Sequence, residues 1–161
     1  VSLRETDLYP DITNWLYTYL TDKYKGYHVE TTDETSKRYL DEVAREKGIS
    51  LPDAVGMQIK IDIVGFLTKK NTQPKLVFIE VKEKKLTLKD LGQLWGYTKL
   101  INPIESFLVS AKGTGVLESI IRQYQRHDIL EYGVSNERFM KVATWDVTRK
   151  SIDYASLLPK F

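Results

Sequence analysis

A chain of 161 residues with 42% hydrophobic and 29% charged side chains has the size and composition of one folded domain, which excludes a disordered polypeptide. The net charge of +2 permits a nucleic-acid partner without requiring one. The absence of cysteine excludes disulfides and thiol nucleophiles, and the presence of only two histidines argues against a multi-histidine zinc site. A bound metal would therefore be held by carboxylates, which favours a hard ion such as Mg²⁺.

The charge of the first ten residues and the hydropathy of the sequence predict where the protein is located. The first ten residues, VSLRETDLYP, are charged, and no stretch approaches the ~20 apolar residues that a membrane span needs. The expectation is a cytoplasmic, intracellular protein with no membrane partner. No repeat or linker interrupts the pattern, so residues 1–161 are predicted to form a single domain.

The first third of the chain is predicted to be mainly helical. Residues 5–24 carry apolar side chains at three- and four-residue steps, which predicts an amphipathic helix. A short strand is predicted over residues 27–31. Residues 34–47 are polar with a sparse apolar face and precede Gly48, which predicts a surface helix.

The middle and the end of the chain alternate between strands and helices. Residues 57–67 (MQIKIDIVGFL) alternate in polarity and residues 75–83 (KLVFIEVKE) are almost continuously apolar, so two strands joined by a hairpin loop are predicted. The later predicted elements are a helix over 88–101, a strand over 107–111, a helix over 115–130, a strand over 139–147 and a short closing helix. This order predicts an α/β fold with a central mixed β-sheet flanked by helices.

Three charged side chains on the two central strands are predicted to converge. Alternation places Ile59, Ile61 and Ile63 on one face of the first strand and Asp62 on the other. Glu80 and Lys82, two residues apart, share one face of the second strand. A hairpin between these strands would bring Asp62 close to both.

Such a trio suits phosphodiester hydrolysis. Two carboxylates can hold Mg²⁺ while leaving positions for water and phosphate oxygens, and an ammonium group can orient water or stabilise developing charge. The alternative is a paired charge without a function, because Glu-X-Lys occurs by chance in many chains. An acid within so apolar a strand favours the functional interpretation, since an unpaired buried charge is costly.

These residues resemble the PD-(D/E)XK nuclease superfamily, with Asp62 on one strand and Glu80-Val81-Lys82 on the next. The resemblance implies a restriction-endonuclease-like core in which both acids and the carbonyl of Val81 bind Mg²⁺, with Mn²⁺ able to substitute, and Lys82 activates water. The segment at about 34–48 would be a helical insertion. The residue before Asp62 is Ile61, whereas the family often has proline there.

The following helix carries a Gln-x-x-x-Tyr pattern, Gln93 to Tyr97, similar to that of RecB-type members. A four-residue spacing puts both side chains on one helix face, so both can face the strand ends; packing at the helix surface is the alternative. The family's first helix often supplies a further acid, for which Glu5 is the choice. A glutamate placed there only by the helix dipole is the alternative for Glu5.

Lysines near the predicted site are candidates for binding DNA. Lys84, Lys85 and Lys89 follow Lys82 closely, where substrate phosphates would lie, and Tyr97 joins them as a DNA-binding candidate. A solvated charged face is the alternative for the lysines.

The resulting expectation is a Mg²⁺-dependent deoxyribonuclease that hydrolyses phosphodiester bonds in DNA. An endonuclease is favoured over an exonuclease, and a homodimer is expected because two symmetric sites can cut two strands. The alternative is a non-catalytic DNA- or protein-binding module on the same fold.

Overall fold

A computed structural model describes residues 3–160 and shows an α/β arrangement built on a mixed six-stranded sheet. The α-helices are α1 (Glu5–Lys23), α2 (Leu40–Glu46), α3 (Leu88–Ile101) and α4 (Val116–Glu118), the last continuing as a π-helix over Ser119–Gln123. The strands are β1 (His28–Thr32), β2 (Ile63–Thr68), β3 (Lys75–Lys82), β4 (Glu105–Ser110), β5 (Glu131–Tyr132), β6 (Arg138–Phe139), β7 (Lys141–Asp146) and β8 (Ser151–Leu158).

The sheet has the order β1-β2-β3-β4-β7-β8, and β5 and β6 form a separate pair. β1, β2 and β3 are antiparallel neighbours, whereas β3, β4 and β7 run parallel to one another. The parallel step from β3 to β4 requires a crossover, and α3 supplies it. These features confirm the predicted α/β class, the central mixed sheet and the early hairpin.

Side chains from opposite faces of the sheet form two separate hydrophobic cores. One core, here called the α1-side core, joins the stripe Ile12, Leu16 and Leu20 of α1 to Val77 and other sheet residues. α1 lies so close to β2 that a Cβ on Gly65 would fall 2.6 Å from Leu20 Cδ1. The α3-side core contains Leu91 and Leu94 of α3, Leu40, Val43 and Ala44 of α2, and Phe66 and Phe78 of the sheet.

Between residues 3 and 160, no helix combines the length and the apolar composition that a membrane span requires. The helix predicted over 88–101 is observed with those limits. Its start is fixed by a capping box, in which Thr87 Oγ1 accepts from the Asp90 amide at 3.3 Å and Asp90 Oδ2 accepts from the Thr87 amide at 2.9 Å.

The strand predicted over 57–67 begins only at Ile63, so Asp62 precedes β2 instead of lying within it. Gln58 has a φ of 56°, which interrupts an extended chain, and the carbonyl of Ile59 accepts from the amide of Leu40 at the start of α2. Ile59 and Ile61 therefore pack in the α3-side core, whereas Ile63 packs in the α1-side core. The expectation that these three isoleucines share a face is wrong.

Two predicted helices are shorter than expected. Within 34–47, a 3₁₀ turn (Glu34–Ser36) precedes α2, because Thr32 Oγ1 accepts from the Glu34 amide and Ser36 Oγ donates to the Asp33 carbonyl. Within 115–130, α4 and its π-helical continuation end near Gln125, whose φ is 55°, and a 3₁₀ turn (His127–Leu130) follows.

The prediction of a closing helix is wrong, because the last element that the structure describes is the strand β8. Asp146 Oδ1 accepts from the amides of Thr148 and Arg149 at 3.0 Å each, and Lys150 adopts a φ of 54°. These hydrogen bonds reverse the chain and pair β8 antiparallel to β7.

Candidate active site

The charged residues singled out in the sequence meet where β3 ends. Glu80 and Lys82 are near the carboxyl end of β3, and Asp62 immediately precedes β2, its antiparallel neighbour. The first residue of α1, Glu5, is close enough for the charges of Lys82 and Asp62 to affect its pKa. The structure therefore brings together the four side chains predicted to form the site's charged core.

Asp62 and Glu80 are held against one another by hydrogen bonds to the backbone. The pairing of β2 with β3 starts at Ile63 and Ile79, so Asp62 lies opposite Glu80 just beyond the paired residues. There the Asp62 amide donates to Glu80 Oε1 at 3.1 Å, and the Val81 amide donates to Asp62 Oδ2 at 2.8 Å. Beyond the paired part of the strands, these side-chain hydrogen bonds thus take the place of backbone hydrogen bonds between β2 and β3. As a result, the carboxylates of Asp62 and Glu80 lie close together.

The electrostatic state of Glu80 reflects this convergence. Its side chain is 6% exposed, and burial is the main reason why its pKa lies well above the ordinary value. The adjacent charge of Asp62 raises the pKa of Glu80 further, while the charge of Lys82 lowers it. A second positive charge would relieve the repulsion between the two carboxylates.

α1 contributes two side chains one helical turn apart. Burial raises the pKa of Glu5, the positive charge of Lys82 lowers it, and the negative charge of Asp62 raises it. Tyr9, which was not predicted from the sequence, is 7% exposed. Burial raises its pKa, as do the charge of Asp62 and a hydrogen bond to the Asp62 side chain. The four-residue step from Glu5 along the apolar stripe was the available signal for Tyr9.

The carboxylates of this site fit a divalent ion only in part. Between residues 3 and 160, no group of three or more His, Asp or Glu side chains is arranged to hold a metal. Asp62 and Glu80 do supply two adjacent carboxylates, and Mg²⁺ is often held by one or two carboxylates with water and phosphate completing the shell. The residues present therefore fit a Mg²⁺ ion that depends on its substrate for some ligands.

The Gln-x-x-x-Tyr motif, formed by Gln93 and Tyr97, lies on α3. Gln93 is exposed on α3, and within the described part of the chain no hydrogen bond connects it with Asp62, Glu80 or Lys82. Tyr97 is partly buried and packs against the α3-side core. The roles predicted for Gln93 in catalysis and for Tyr97 in DNA binding stay predictions.

The three candidate DNA-binding lysines are exposed and follow Lys82 closely in the chain. Lys84 and Lys85 lie between β3 and α3, and Lys89 is in the first turn of α3. Their loop is anchored, because Ser110 Oγ donates to the Lys84 carbonyl and the Leu86 amide donates to the Gly113 carbonyl at 3.1 Å.

Comparison of this chain with protein-family models, with curated proteins and with solved structures finds no match. By its structure, this protein has an α/β fold with two adjacent carboxylates, those of Asp62 and Glu80, and a nearby lysine, Lys82, at one end of its sheet.

Proposed function

We propose that this protein is a Mg²⁺-dependent deoxyribonuclease of the PD-(D/E)XK type, with a restriction-endonuclease-like core. The observation that carries the proposal is the convergence of Asp62 and Glu80 beyond the paired part of β2 and β3, with Lys82 two residues from Glu80. The buried carboxylate of Glu80 lies beside the half-buried carboxylate of Asp62, and two adjacent acids of this kind are typical of a site whose charge is balanced by a ligand.

Each residue has a distinct part in the proposed reaction. Asp62 and Glu80 would hold the ion together with the carbonyl of Val81, and Tyr9 keeps the Asp62 carboxylate in place. When bound, Mg²⁺ would lower the pKa of a water molecule and neutralise charge on the phosphate. Lys82 orients the attacking water or stabilises the charge that builds on the phosphate oxygens. Glu5 supplies a further carboxylate at the margin of the site.

The substrate proposed for this site is DNA. Lys84, Lys85 and Lys89 are exposed and follow Lys82 closely in the chain, and they would contact phosphates on either side of the cut bond. We favour an endonuclease acting as a homodimer, because two symmetric sites can address the two strands of a duplex.

The test is cleavage of supercoiled, linear, single-stranded and four-way-junction DNA with Mg²⁺, Mn²⁺ or EDTA. Lys82→Ala should lower cleavage by about 100-fold or more while Mg²⁺ and DNA stay bound. The matched control is Lys75→Ala, since Lys75 is an exposed lysine at the opposite end of the same strand. Cutting of a closed circle distinguishes an endonuclease from an exonuclease, and sedimentation measures the oligomeric state.

The competing function is a non-catalytic DNA- or protein-binding module. The absence of a three-carboxylate group among residues 3–160 is the observation that favours it. Equal cleavage by Lys82→Ala and the unmodified protein would remove Lys82 from the mechanism. If neither Mg²⁺ binding nor cleavage is found on any substrate, the binding module is the better description.

A further inference from the structure

A second polar cluster lies at the other end of the sheet, around Glu105. Glu105 is the first residue of β4, whereas Lys82 pairs with the last residue of that strand. Glu105 is 4% exposed, and its carboxylate accepts hydrogen bonds from Tyr19 Oη at 2.7 Å and Tyr24 Oη at 2.5 Å. Lys141 Nζ contacts Oε1 at 2.5 Å, and Lys23 Nζ lies 3.1 Å from Oε2. Glu105 is therefore already paired with Lys141 and Lys23, and its single negative charge cannot balance both of them.

A cavity of about 300 Å³ adjoins this carboxylate, and we name it the cationic cavity. Lys23, Arg138 and Lys141 line it, so three positive charges face one carboxylate. Arg138 Nη1 donates to the Asn102 carbonyl at 3.2 Å and to Asn102 Oδ1 at 2.8 Å. Arg138 forms no ion pair with any carboxylate among residues 3–160, so its charge remains available. The excess of positive charge suits a phosphate group.

A second cavity, of about 420 Å³, has aromatic walls, and we name it the aromatic cavity. Trp15 and Tyr19 are stacked there with ring centroids 4.9 Å apart, and Tyr154 of β8 is 56% exposed. Trp15 and Tyr19 are half-buried, so Tyr154 is the exposed ring of this lining. An exposed aromatic ring beside a cavity is a common platform for a nucleobase, because every base offers a flat π-face. The full lining is Trp15, Thr18, Tyr19, Asp22, Lys23 and Tyr154.

Lys23 connects the two cavities because it lines both of them. Its Nζ is 3.2 Å from Tyr19 Oη on the aromatic side and 3.1 Å from Glu105 Oε2 on the cationic side. A ligand that has a flat ring joined to a phosphate could fill both neighbouring cavities at once, with its ring in the aromatic cavity and its phosphate in the cationic cavity. We propose that the two cavities together bind a nucleotide, whose base stacks in the aromatic cavity and whose phosphate enters the cationic cavity. This site needs no divalent metal and does not depend on the proposed nuclease activity.

The binding experiment uses the whole chain in EDTA, so that the carboxylate pair at Asp62 and Glu80 holds no ion. Adenosine monophosphate is titrated while tryptophan fluorescence is followed, since Trp15 borders the aromatic cavity. Adenosine and inorganic phosphate serve as half-ligands. The expected result is saturable quenching by adenosine monophosphate, with a Kd at least about tenfold lower than that of either half-ligand.

Two variants separate the halves of the site. Tyr154→Ala, at an exposed position, should raise the Kd for adenosine monophosphate about tenfold and leave that for phosphate unchanged. Lys23→Gln should weaken both ligands, because Lys23 lines both cavities. The matched controls are Tyr124→Ala, at a position 66% exposed, and Lys25→Gln, two residues from Lys23; neither lines these cavities.

The same chemistry is offered by a free nucleotide and by one nucleotide of a single strand. A single-stranded hexanucleotide is therefore titrated in parallel. Tighter binding of the hexanucleotide that is abolished in Tyr154→Ala and Lys23→Gln identifies a strand as the source, and tighter binding of the mononucleotide identifies a free nucleotide. The proposal is overturned if neither probe binds saturably, or if both variants bind as well as their controls.

Discussion

The backbone amide of Asp62 donates to Oε1 of Glu80 at 3.1 Å, so the two acids are coupled through the main chain as well as by charge. The position of the Glu80 carboxylate consequently depends on where β2 begins. Because pairing of the strands starts at Ile63, Asp62 is free to turn its own carboxylate toward the amide of Val81. The end of the β2–β3 ladder is what creates the candidate metal site.

Glu80→Gln should separate stability from activity. The glutamine oxygen can still accept from the Asp62 amide and its NH₂ group can donate to the Asp62 carboxylate, so the repulsion between the two acids disappears. The free energy of unfolding in EDTA should hold or rise by about 1 kcal/mol, while Mg²⁺ binding and cleavage are abolished. Urea denaturation and calorimetry measure the two effects. A clear loss of stability would indicate a structural carboxylate instead.

Glu105→Gln should have the opposite effect on stability. Burial alone would raise the pKa of Glu105, but hydrogen bonds from Lys141, Tyr24 and Tyr19 lower it below the ordinary value of 4.5. Loss of this charge should cost about 2 kcal/mol at neutral pH, less than for a fully buried pair because both lysines are partly exposed.

The pH dependence of this effect has a definite sign. A lowered carboxyl pKa contributes stability that is present above 4.5 and is lost as the pH falls through the lowered value. The difference between the unmodified protein and Glu105→Gln should therefore shrink in acid. Urea denaturation of both proteins at neutral pH and near pH 3 measures this difference in the free energy of unfolding. A difference of ~2 kcal/mol is expected only at neutral pH. A difference that persists in acid would mean that packing, and not charge, is responsible.

The lysines beside the site should control the salt dependence of DNA binding. Replacing Lys84, Lys85 and Lys89 by alanine should reduce the slope of log K against log salt by about 0.9 for each DNA phosphate that these lysines neutralise. The control is the double replacement of Lys69 and Lys70, exposed on the turn between β2 and β3 at the other end of the hairpin. Equal slopes for the two variants would refute a specific role for the first group.

A side chain at Gly115 should destabilise the fold. The φ of Gly115 is +57°, and a Cβ there would lie 2.5 Å from the carbonyl oxygen of Leu86. Gly115→Ala should lower the free energy of unfolding by about 1–3 kcal/mol, because both the backbone and the adjoining loop must shift. Gly92→Ala is the control, since nothing lies within 4 Å of its Cβ position and alanine favours a helix by about 0.5–1 kcal/mol. Urea denaturation of both variants tests the contrast, and equal effects would contradict it.

Features that depend on near neighbours could be predicted from the amino-acid sequence. The stripe of Ile12, Leu16 and Leu20 recurs at four-residue steps and indicates α1, and the capping residues Thr87 and Asp90 stand next to the helix they start. The proximity of Glu80 to Lys82 likewise follows from strand geometry alone. These features need only the repeat of one element, so a local pattern suffices to predict them.

Features that join distant segments depend on the tertiary structure. The amide of Leu40 binds the carbonyl of Ile59, which withdraws residues 57–62 from the predicted strand. Tyr19 donates to Glu105 across 86 positions of the chain, and no local periodicity encodes that hydrogen bond. The approach of Glu5 to Lys82 could not be predicted from the sequence either. In the sequence, the helix dipole accounts for a glutamate at the start of α1 as well as a role in the site does. Partners so far apart become neighbours only when the sheet and α1 pack together, because the position of each depends on the whole fold.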